Sequence, residues 1–257
     1  MEWIVEDRGE VEVWTIDGAP RRNSITRAML TALNQELRRA DESRHLRCVV
    51  LTGAGDRAFC AGADLKERAL MSQAEVHGFH HDLRAALHAI ETSPKVFLAA
   101  VNGAALGGGL ELAIACDLRI MSAAAEVGLP EVGLGIIPGG GGTQRLARAI
   151  GVARTKDLVL TARRVGAAEA LALGLATRTA PPASLREAAL QMAGEVARNA
   201  PVSLRQAKRA IDAGFHLPLE EALDLENRMY QDCLQTKDRV EALKAFAEKR
   251  RPVFTGE

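Results

Sequence analysis

The sequence of 257 residues has no excess charge of either sign, because lysine plus arginine and aspartate plus glutamate number 33 each. A chain with this balance has no general basic field to attract nucleic acid. No apolar run approaches the roughly eighteen residues that a membrane span requires. The first residues, Met1 to Asp7, are acidic and lack the composition of a signal or transit segment. We therefore expect a cytoplasmic protein, whose length permits one large domain or a domain with an appendage.

Cysteine is rare, and several familiar motifs are missing. The four cysteines lie in apolar or turn contexts without a Cys-x-x-Cys pair, so we expect reduced thiols rather than disulfides or nucleophiles. No glycine run is followed by the Gly-Lys-Ser/Thr of a P-loop, and Gly133 and Gly135 lack the third glycine of the dinucleotide fingerprint. The Gly-x-Ser-x-Gly turn of serine hydrolases is also absent. The cysteines are Cys48, Cys60, Cys116 and Cys233.

Histidine does not form a recognisable metal motif. His77 and His81 are four residues apart and could bind one ion if they share a helix face. The chain lacks a His-Glu-x-x-His pattern and an evident third ligand. We therefore expect a solvated helix face and no metal site.

Strand and helix patterns alternate over about two thirds of the chain. Val11 to Ile16 alternates apolar and polar residues, while Cys48 to Thr52 and Val96 to Val101 are short apolar runs typical of buried strands. Thr26 to Ala40 has apolar residues at helical spacing. The sequence predicts an α/β fold with only helices beyond Arg154. A further strand is expected at residues 117–122, and the later helices at residues 155–161, 167–173, 184–199, 202–213, 219–234 and 237–249.

Two glutamates lie next to glycine-rich turns. Glu111 belongs to an otherwise apolar segment, where a charge is costly unless it is paired or used. Glu131 follows Pro130 and, taken alone, could simply open a helix with an acidic first turn. Together the two carboxyl groups suit a general base and a general acid that share one water molecule. Such a pair should titrate as a unit and retain one proton.

The turn at residues 60–64 and the glycines at 107–109 can present backbone N–H groups to a ligand without interference from a Cβ atom. Such donors can stabilise the negative oxygen of an enolate that forms on a thioester. We assign this role to the N–H groups of Ala63 and Gly108. Two carboxyl groups beside two such donors indicate the addition of water across a polarised C=C bond.

Three segments carry a resemblance to the enoyl-CoA hydratase/isomerase (crotonase) superfamily: residues 59–66 (FCAGADLK), 102–113 (NGAALGGGLELA) and 130–145 (PEVGLGIIPGGGGTQR). The match extends over nearly the whole chain in the order and spacing of the family. Within it, residues 59–68, 136–146, 236–239 and 246–250 are similar to the 3-methylglutaconyl-CoA hydratases, which include an animal member also described as an AU-rich RNA-binding protein.

The resemblance implies a spiral of repeated ββα units over residues 1–195 and a helical trimerisation region over residues 196–257. It implies that Ala63 and Gly108 form an oxyanion hole, that Glu111 activates water and that Glu131 protonates the α-carbon. Members that only shift a double bond usually keep the equivalent of Glu131 and lose the other glutamate, so the resemblance favours a hydratase. It also implies a homo-oligomer, either a trimer or a dimer of trimers.

Coenzyme A enters as part of the substrate, and the thioester carbonyl supplies the activation, so the resemblance implies no metal or redox cofactor. In the family the CoA site is completed from the C-terminal helices, often those of a neighbouring subunit. The CoA contacts implied in this chain are Arg21, Arg22, Ser24, Ala61, Asp64, Leu65, Lys66, Phe246 and Lys249.

A 3-methylglutaconyl group has a distal carboxylate, so its pocket should hold a cation or several hydrogen-bond donors. The expected acyl-pocket residues are Arg68, Arg84 and Gly139, with Lys66 and His77 in the same segment. The resemblance thus favours 3-methylglutaconyl-CoA hydration in leucine breakdown. A broad short-chain enoyl-CoA hydratase would use the same catalytic residues and stays open as an alternative.

An alternative of another class is RNA binding. The first helix keeps Arg27 but has Thr31 and Gln35 where the animal relative has lysines. A protein that neutralises several phosphates needs a dense basic face, and this helix lacks one. We therefore do not expect RNA to be a partner.

Overall fold

The computed structural model describes residues 2–257 as ten strands, eleven α-helices and three short 3-10 helices. The strands are β1 (Glu2–Asp7), β2 (Val11–Asp17), β3 (Cys48–Gly53), β4 (Ala58–Cys60), β5 (Val96–Val101), β6 (Ala104–Leu106), β7 (Leu118–Ser122), β8 (Glu126–Gly128), β9 (Val165–Gly166) and β10 (Arg178–Ala180). The α-helices are α1 (Arg27–Glu42), α2 (Leu65–Arg68), α3 (Gln73–Thr92), α4 (Gly108–Ala115), α5 (Gly142–Ile150), α6 (Val152–Leu160), α7 (Ala167–Ala172), α8 (Leu185–Ala197), α9 (Pro201–Gly214), α10 (Leu219–Leu234) and α11 (Lys237–Ala247). The 3-10 helices are Ala19–Arg21, Glu131–Leu134 and Pro182–Ser184.

The strands form two sheets. The larger sheet has the order β1-β2-β3-β5-β7-β10, in which β1 is antiparallel to β2 and all other neighbours are parallel. The smaller sheet has the order β4-β6-β8-β9, in which only β8 and β9 are antiparallel. From β3 to β8, successive strands alternate between the two sheets, and helices follow β4, β6 and β8. The predicted α/β class is therefore confirmed.

The central strands of the larger sheet are buried on both faces, so their alternating side chains enter two separate cores. Val49 and Leu51 of β3 lie in the main core with residues of α1, α3 and α4. Cys48 and Val50 of the same strand lie in a second core that α8 covers. The short apolar runs seen in the sequence are thus strands between two layers, as predicted.

Helix α1 forms where the sequence predicts it. The hydroxyl of Thr26 accepts a hydrogen bond from the N–H group of Met29 at 3.1 Å, which satisfies one of the free donors of the first turn. The side chains of Met29, Leu33 and Leu37 are buried on one face, and the helix continues two residues past Ala40. This face attaches α1 to the main core.

The prediction that only helices follow Arg154 is wrong at β9 and β10. Residues 178–180 pair in parallel with residues 120–122 of β7, and β9 pairs with β8. Two or three residues are too few to show a strand period in the sequence. Their conformation depends on a sheet edge that other parts of the chain supply.

Helix α9 is attached to the core through a buried lysine. The amine of Lys208 donates to Asp117 Oδ2 at 3.0 Å and to the carbonyl oxygen of Lys95 at 3.0 Å. A buried ammonium is tolerated because these partners replace its water. Beyond this point α9 and α10 contact mainly each other. The boundary predicted between residues 195 and 196 falls in the last turn of α8.

Across residues 2–257, the helices that are present are too short or too polar to cross a bilayer. All four cysteines are free thiols, as predicted, and three of them are buried. Burial raises the pKa of the Cys48 and Cys60 thiols to about 12. Cys60 is therefore a packed, protonated side chain at the edge of the small sheet.

Candidate active site

The small-residue turns identified in the sequence meet at one edge of the smaller sheet. Strands β4, β6 and β8 are parallel, so their carboxyl ends lie side by side. The turn after β4 carries Ala63, the turn after β6 begins α4 at Gly108, and the 3-10 helix after β8 begins at Glu131. Ligands of open α/β sheets usually bind at this edge of the strands.

Two backbone N–H groups face a common space. Ile25 N–H donates to Gly62 O at 2.7 Å and Asp64 N–H donates to Ile25 O at 2.9 Å, so the N–H of Ala63 points to the opposite side of this extended segment. Gly108 is the first residue of α4, where an N–H group has no acceptor within the helix. Neither group has an acceptor among residues 2–257. A Cβ atom added at Gly108 would lie 3.7 Å from Ala63 N, which shows that the two turns are adjacent.

Gly62 allows this close approach. Its φ of +87° lies in the left-handed region that glycine adopts without steric cost. A Cβ atom at this position would lie 2.7 Å from Leu106 O and 3.3 Å from Gly108 N. Any other residue would push the two donor turns apart.

Glu111 lies on the first turn of α4 and is 2% exposed. Its Oε1 atom accepts hydrogen bonds from the N–H groups of Gly140 and Gly142, both at 2.8 Å. Burial raises the pKa of Glu111, and the two N–H groups and the Arg145 guanidinium oppose that rise. A Cβ atom at Gly140 would lie 2.6 Å from Glu111 Oε2, so the loop must be glycine to approach the carboxylate.

Glu131 is also buried, but its hydrogen bonding differs. Its Oε2 atom has no hydrogen-bond partner in the described part of the chain. Burial raises the pKa of Glu131 to about 7, and the charge of Glu111 acts in the same direction. A Cβ atom on Gly107 would lie 3.0 Å from Glu131 Oε1, so this carboxyl group abuts the turn that carries the Gly108 donor.

The two glutamates and the two donor turns line one cavity of about 180 Å³. The sequence predicted that Glu111, Glu131, Ala63 and Gly108 act together, and the structure brings them to this cavity. A carboxylate held by two N–H groups, a carboxyl group whose pKa is near neutrality and two free backbone donors can perform general base, general acid and oxyanion-stabilising chemistry.

The remaining walls are largely apolar, with two polar side chains. Arg68 at the end of α2 places Nη2 3.0 Å from Nε2 of His80 on α3, and Arg68 has no ion-pair partner among the residues that the structure describes. Gly139 also lines this space. Burial lowers the pKa of His80, and the charges of Arg68 and His77 lower it further. The apolar lining residues include Phe79, Leu83, Leu134, Ile136 and Ile137.

Arg84 does not line this cavity, which corrects its assignment to the acyl pocket. It lies on an exposed face of α3 in a wider neighbouring cleft, together with His77. Arg68 and Arg84 are both near the site in sequence, but α2 and α3 direct their side chains into different spaces. Lys66 is exposed and also outside the cavity.

Most of the predicted CoA contacts come together at the mouth of the cavity. The segment at residues 21–25 lies beside the turn at 61–64, where Ala61 N–H donates to Arg22 O at 3.0 Å. Arg21 forms an ion pair with Asp64 at 3.0 Å, and Asp64 Oδ1 also caps α2 by accepting hydrogen bonds from the N–H groups of Lys66 and Glu67. The carboxylate of Asp64 is therefore already occupied. Ser24 and Leu65 lie in the same two segments, and Leu65 contributes to the cavity wall.

Phe246 and Lys249 lie elsewhere. Phe246 is 86% exposed near the end of α11, Lys249 follows the helix with a φ of +54°, and neither lines the cavity of its own chain. The assignment of both residues to a CoA site stays a prediction that requires a neighbouring subunit.

Sequence reasoning missed Arg145 and the role of His80. The guanidinium of Arg145 donates to Gly140 O at 2.7 Å and to both carboxylate oxygens of Glu91, at 3.0 and 2.8 Å. It thereby connects α3 with the glycine loop, residues 139–142, whose N–H groups donate to Glu111. The only available signal was its position just after the glycine run, because the partner Glu91 is 54 residues away.

No group of three histidine, cysteine, aspartate or glutamate side chains suited to a metal ion occurs within residues 2–257. His77 and His81 both lie on exposed positions of α3, as the sequence predicted.

The chain is similar in sequence to a family of known enzymes. Residues 7–257 match the family model described as enoyl-CoA hydratase/isomerase. The chain is 42% identical over 256 residues to the mitochondrial methylglutaconyl-CoA hydratase of Rattus norvegicus, which covers 98% of this chain and 81% of that protein. It is 39% identical over 248 residues to the short-chain-enoyl-CoA hydratase of Clostridium acetobutylicum, which covers 96% and 95%, respectively.

A crystal structure of an enoyl-CoA hydratase from Bacillus anthracis matches with a TM-score of 0.98 and 43% identity, over 100% of both chains. This similarity confirms the predicted crotonase-type fold. By sequence and by structure, the chain belongs to the enoyl-CoA hydratase/isomerase family.

Proposed function

We propose that this chain adds water reversibly to the α,β double bond of an acyl-CoA thioester. The observation that carries the proposal is the presence of Glu111, Glu131 and the free N–H groups of Ala63 and Gly108 around one cavity. Glu111 takes a proton from water, and the water oxygen bonds to the β-carbon. The electrons of the double bond move toward the thioester oxygen, which the two N–H groups stabilise. Glu131 then delivers its proton to the α-carbon.

The hydrogen bonds support this division of roles. Two N–H groups donate to Glu111 Oε1 and favour its ionised form, as a base requires. Glu131 has no donor to Oε2, and a pKa of about 7 lets it hold a proton near neutral pH. An acid with a pKa near the working pH is close to the optimum for proton transfer. The activation uses the thioester carbonyl, so the proposal includes no cofactor.

For the substrate we propose 3-methylglutaconyl-CoA, formed reversibly from 3-hydroxy-3-methylglutaryl-CoA in leucine breakdown. Arg68 supports this choice, because its guanidinium lines the acyl cavity without an ion-pair partner and can bind a distal carboxylate. Relatives named methylglutaconyl-CoA hydratase and short-chain-enoyl-CoA hydratase are 42% and 39% identical to the chain, so a broad short-chain hydratase is the second candidate.

A comparison of kcat/KM values for two CoA thioesters tests the proposed substrate. The kcat/KM for dehydration of 3-hydroxy-3-methylglutaryl-CoA should exceed that for 3-hydroxybutyryl-CoA by at least about tenfold. Arg68→Gln should reduce this preference roughly 10- to 100-fold, because a hydrogen bond to a charged group contributes about 1.5–3 kcal/mol. Arg84→Gln is the matched control, since Arg84 lies outside the cavity, and it should keep the preference.

Equal or reversed rates in the unmodified protein would instead support the short-chain hydratase. A loss of preference in Arg84→Gln but not in Arg68→Gln would show that the distal carboxylate is bound in the wider cleft.

Assembly and CoA binding belong to the same proposal. Many apolar side chains of α9, α10 and α11 are exposed in the single chain, which supports a homo-oligomer, trimeric or a dimer of trimers, formed through residues 196–257. A neighbouring chain would then supply Phe246 and Lys249 to the CoA site. The contacts from the same chain would come from residues at the mouth of its cavity, namely Arg21, Arg22, Ser24, Ala61, Leu65 and Lys66. We also propose a cytoplasmic location.

RNA binding is not part of the proposal. Arg27 on α1 is paired with Glu67 at 3.4 Å and with Glu75 at 3.0 Å, so its charge is already balanced by two acidic neighbours. A helix face of this kind offers few free cations to phosphates.

A further inference from the structure

His80 lies between two spaces of very different size. Its half-buried ring lines the acyl cavity of about 180 Å³ and also a cleft of about 790 Å³ on the outer side of α3. Pockets for drug-sized ligands usually measure about 300–1,000 Å³, so the inner cavity suits a small group and the cleft a larger one. The wall between them is thin, because a single side chain contributes to both.

The ring is held in place on two sides. Arg68 Nη2 lies 3.0 Å from His80 Nε2, and since a guanidinium can only donate, Nε2 is the acceptor. On the other side a Cβ atom at Gly139 would lie 2.6 Å from His80 Nδ1, so the ring fills the space that this glycine leaves open. His80 thus closes the gap between α3 and the glycine loop.

The cleft beyond this wall is basic. Five of the six histidines in the sequence line it. Arg84 and Arg148 have no ion-pair partner in the part of the chain that the structure describes, while Arg145 is balanced by Glu91. The five histidines are His77, His80, His81, His88 and His216.

We propose that His80 is the end wall of the acyl cavity, which restricts the chain to short acyl groups. Without the ring, the cavity joins the basic cleft, which then receives longer acyl tails that end in a carboxylate. The inference rests on the proposed function, because it takes the cavity as the acyl site.

The test compares 2-enoyl-CoA thioesters of four and ten carbons, the longer one ending either in a methyl group or in a carboxylate. In the unmodified chain, kcat/KM for both ten-carbon substrates should be less than a tenth of that for the four-carbon substrate. His80→Ala should raise the ratio of the ten-carbon to the four-carbon value at least tenfold for the carboxylate-ended tail, and less for the methyl-ended tail. His45→Ala, which changes the one histidine outside the cleft, should leave both ratios unchanged.

Full activity of the unmodified chain on ten-carbon substrates, or unchanged ratios in His80→Ala, would contradict the proposal that His80 is the end wall of the cavity. An equal gain for the two tails would overturn the role of the basic cleft. His80→Ser provides a second opening variant if alanine at this position impairs folding.

Binding measurements separate this inference from the proposed function. The dissociation constants of butyryl-CoA and decanoyl-CoA can be measured by calorimetry without any turnover. If the chain hydrated no enoyl-CoA, the proposed reaction would fail. A gain in decanoyl-CoA affinity in His80→Ala relative to butyryl-CoA would still support the wall, and its absence would refute it.

Discussion

At the scale of single residues, two glutamates in one cavity have different environments. Glu111 accepts two backbone hydrogen bonds, whereas Glu131 Oε2 has none. Burial raises both pKa values, and it raises that of Glu131 to about 7. The same residue type can therefore act as base at one position and as acid at the other, because two backbone N–H groups favour the ionised form of Glu111 while Glu131 Oε2 has no donor.

The pH dependence of hydration follows from this difference. The proposed hydration uses an ionised Glu111 and a protonated Glu131. The kcat/KM should therefore fall above about pH 7 as Glu131 loses its proton, and fall at acidic pH as Glu111 gains one. Because the two groups interact, the limits belong to the pair. Glu131→Gln should lower kcat about 10²- to 10⁴-fold and remove the alkaline limb from the residual rate.

Glu111→Gln should lower kcat similarly and remove the acidic limb, while both variants bind butyryl-CoA almost as the unmodified chain does. The assignment fails if either variant turns over at a near-normal rate, or if the alkaline limb persists in Glu131→Gln.

At the scale of elements, the glycine loop before α5 is positioned by α3 rather than by its own sequence. Arg145 on α5 connects Gly140 O with Glu91 on α3, and the loop in turn donates two N–H groups to Glu111. A loop of consecutive glycines has little conformational preference of its own. The ion pair therefore fixes the loop whose N–H groups donate to Glu111.

Arg145→Ala should lower kcat about 10- to 100-fold, since displacements of about 1 Å in an active site can have effects of this size. Weaker N–H bonds to Glu111 should also raise its pKa, so the acidic limb of kcat/KM should move to higher pH. The measurement is the pH–rate profile. Arg148→Ala removes an exposed arginine from the same helix, one turn later, and should leave the profile unchanged. An unmoved acidic limb in Arg145→Ala would contradict the positioning role.

At the scale of the whole molecule, the C-terminal helices expose an unusual number of apolar side chains. Leu219 is 72% exposed and Leu223 49% exposed, and they share one face of α10 because they are four residues apart. Ile211 and Phe215 repeat this spacing at the end of α9 and are 70% and 66% exposed. Apolar surface of this kind on neighbouring helices typically marks an interface.

Light scattering coupled to gel filtration should give the mass of three or six chains. The double variant Leu219→Glu/Leu223→Glu should shift the protein toward monomers, because each leucine buried in an interface contributes roughly 1.5–3 kcal/mol. The KM for CoA esters should rise with dissociation if a neighbour supplies Phe246 and Lys249. Glu220→Gln changes an exposed residue on the same turn and is the control. A monomeric unmodified chain would contradict the proposed assembly.

The sequence by itself determined the α/β class, the position of α1 and the segments that carry Ala63, Gly108, Glu111 and Glu131. These features depend on local patterns: periodic apolar residues, caps and glycine-rich turns that show within a few neighbouring residues. The sequence could therefore indicate a set of candidate groups, although it could not show that they face one cavity.

Only the tertiary structure decided which side chains enter that cavity and how they titrate. Arg68 lies inside and Arg84 outside because α2 and α3 present them in different directions. Arg145 fixes the glycine loop through Glu91, 54 residues away, and β10 exists because β7 offers it an edge. The raised pKa of Glu131 follows from burial among segments that are distant in the chain. Each of these properties depends on contacts between remote residues, which no local pattern specifies.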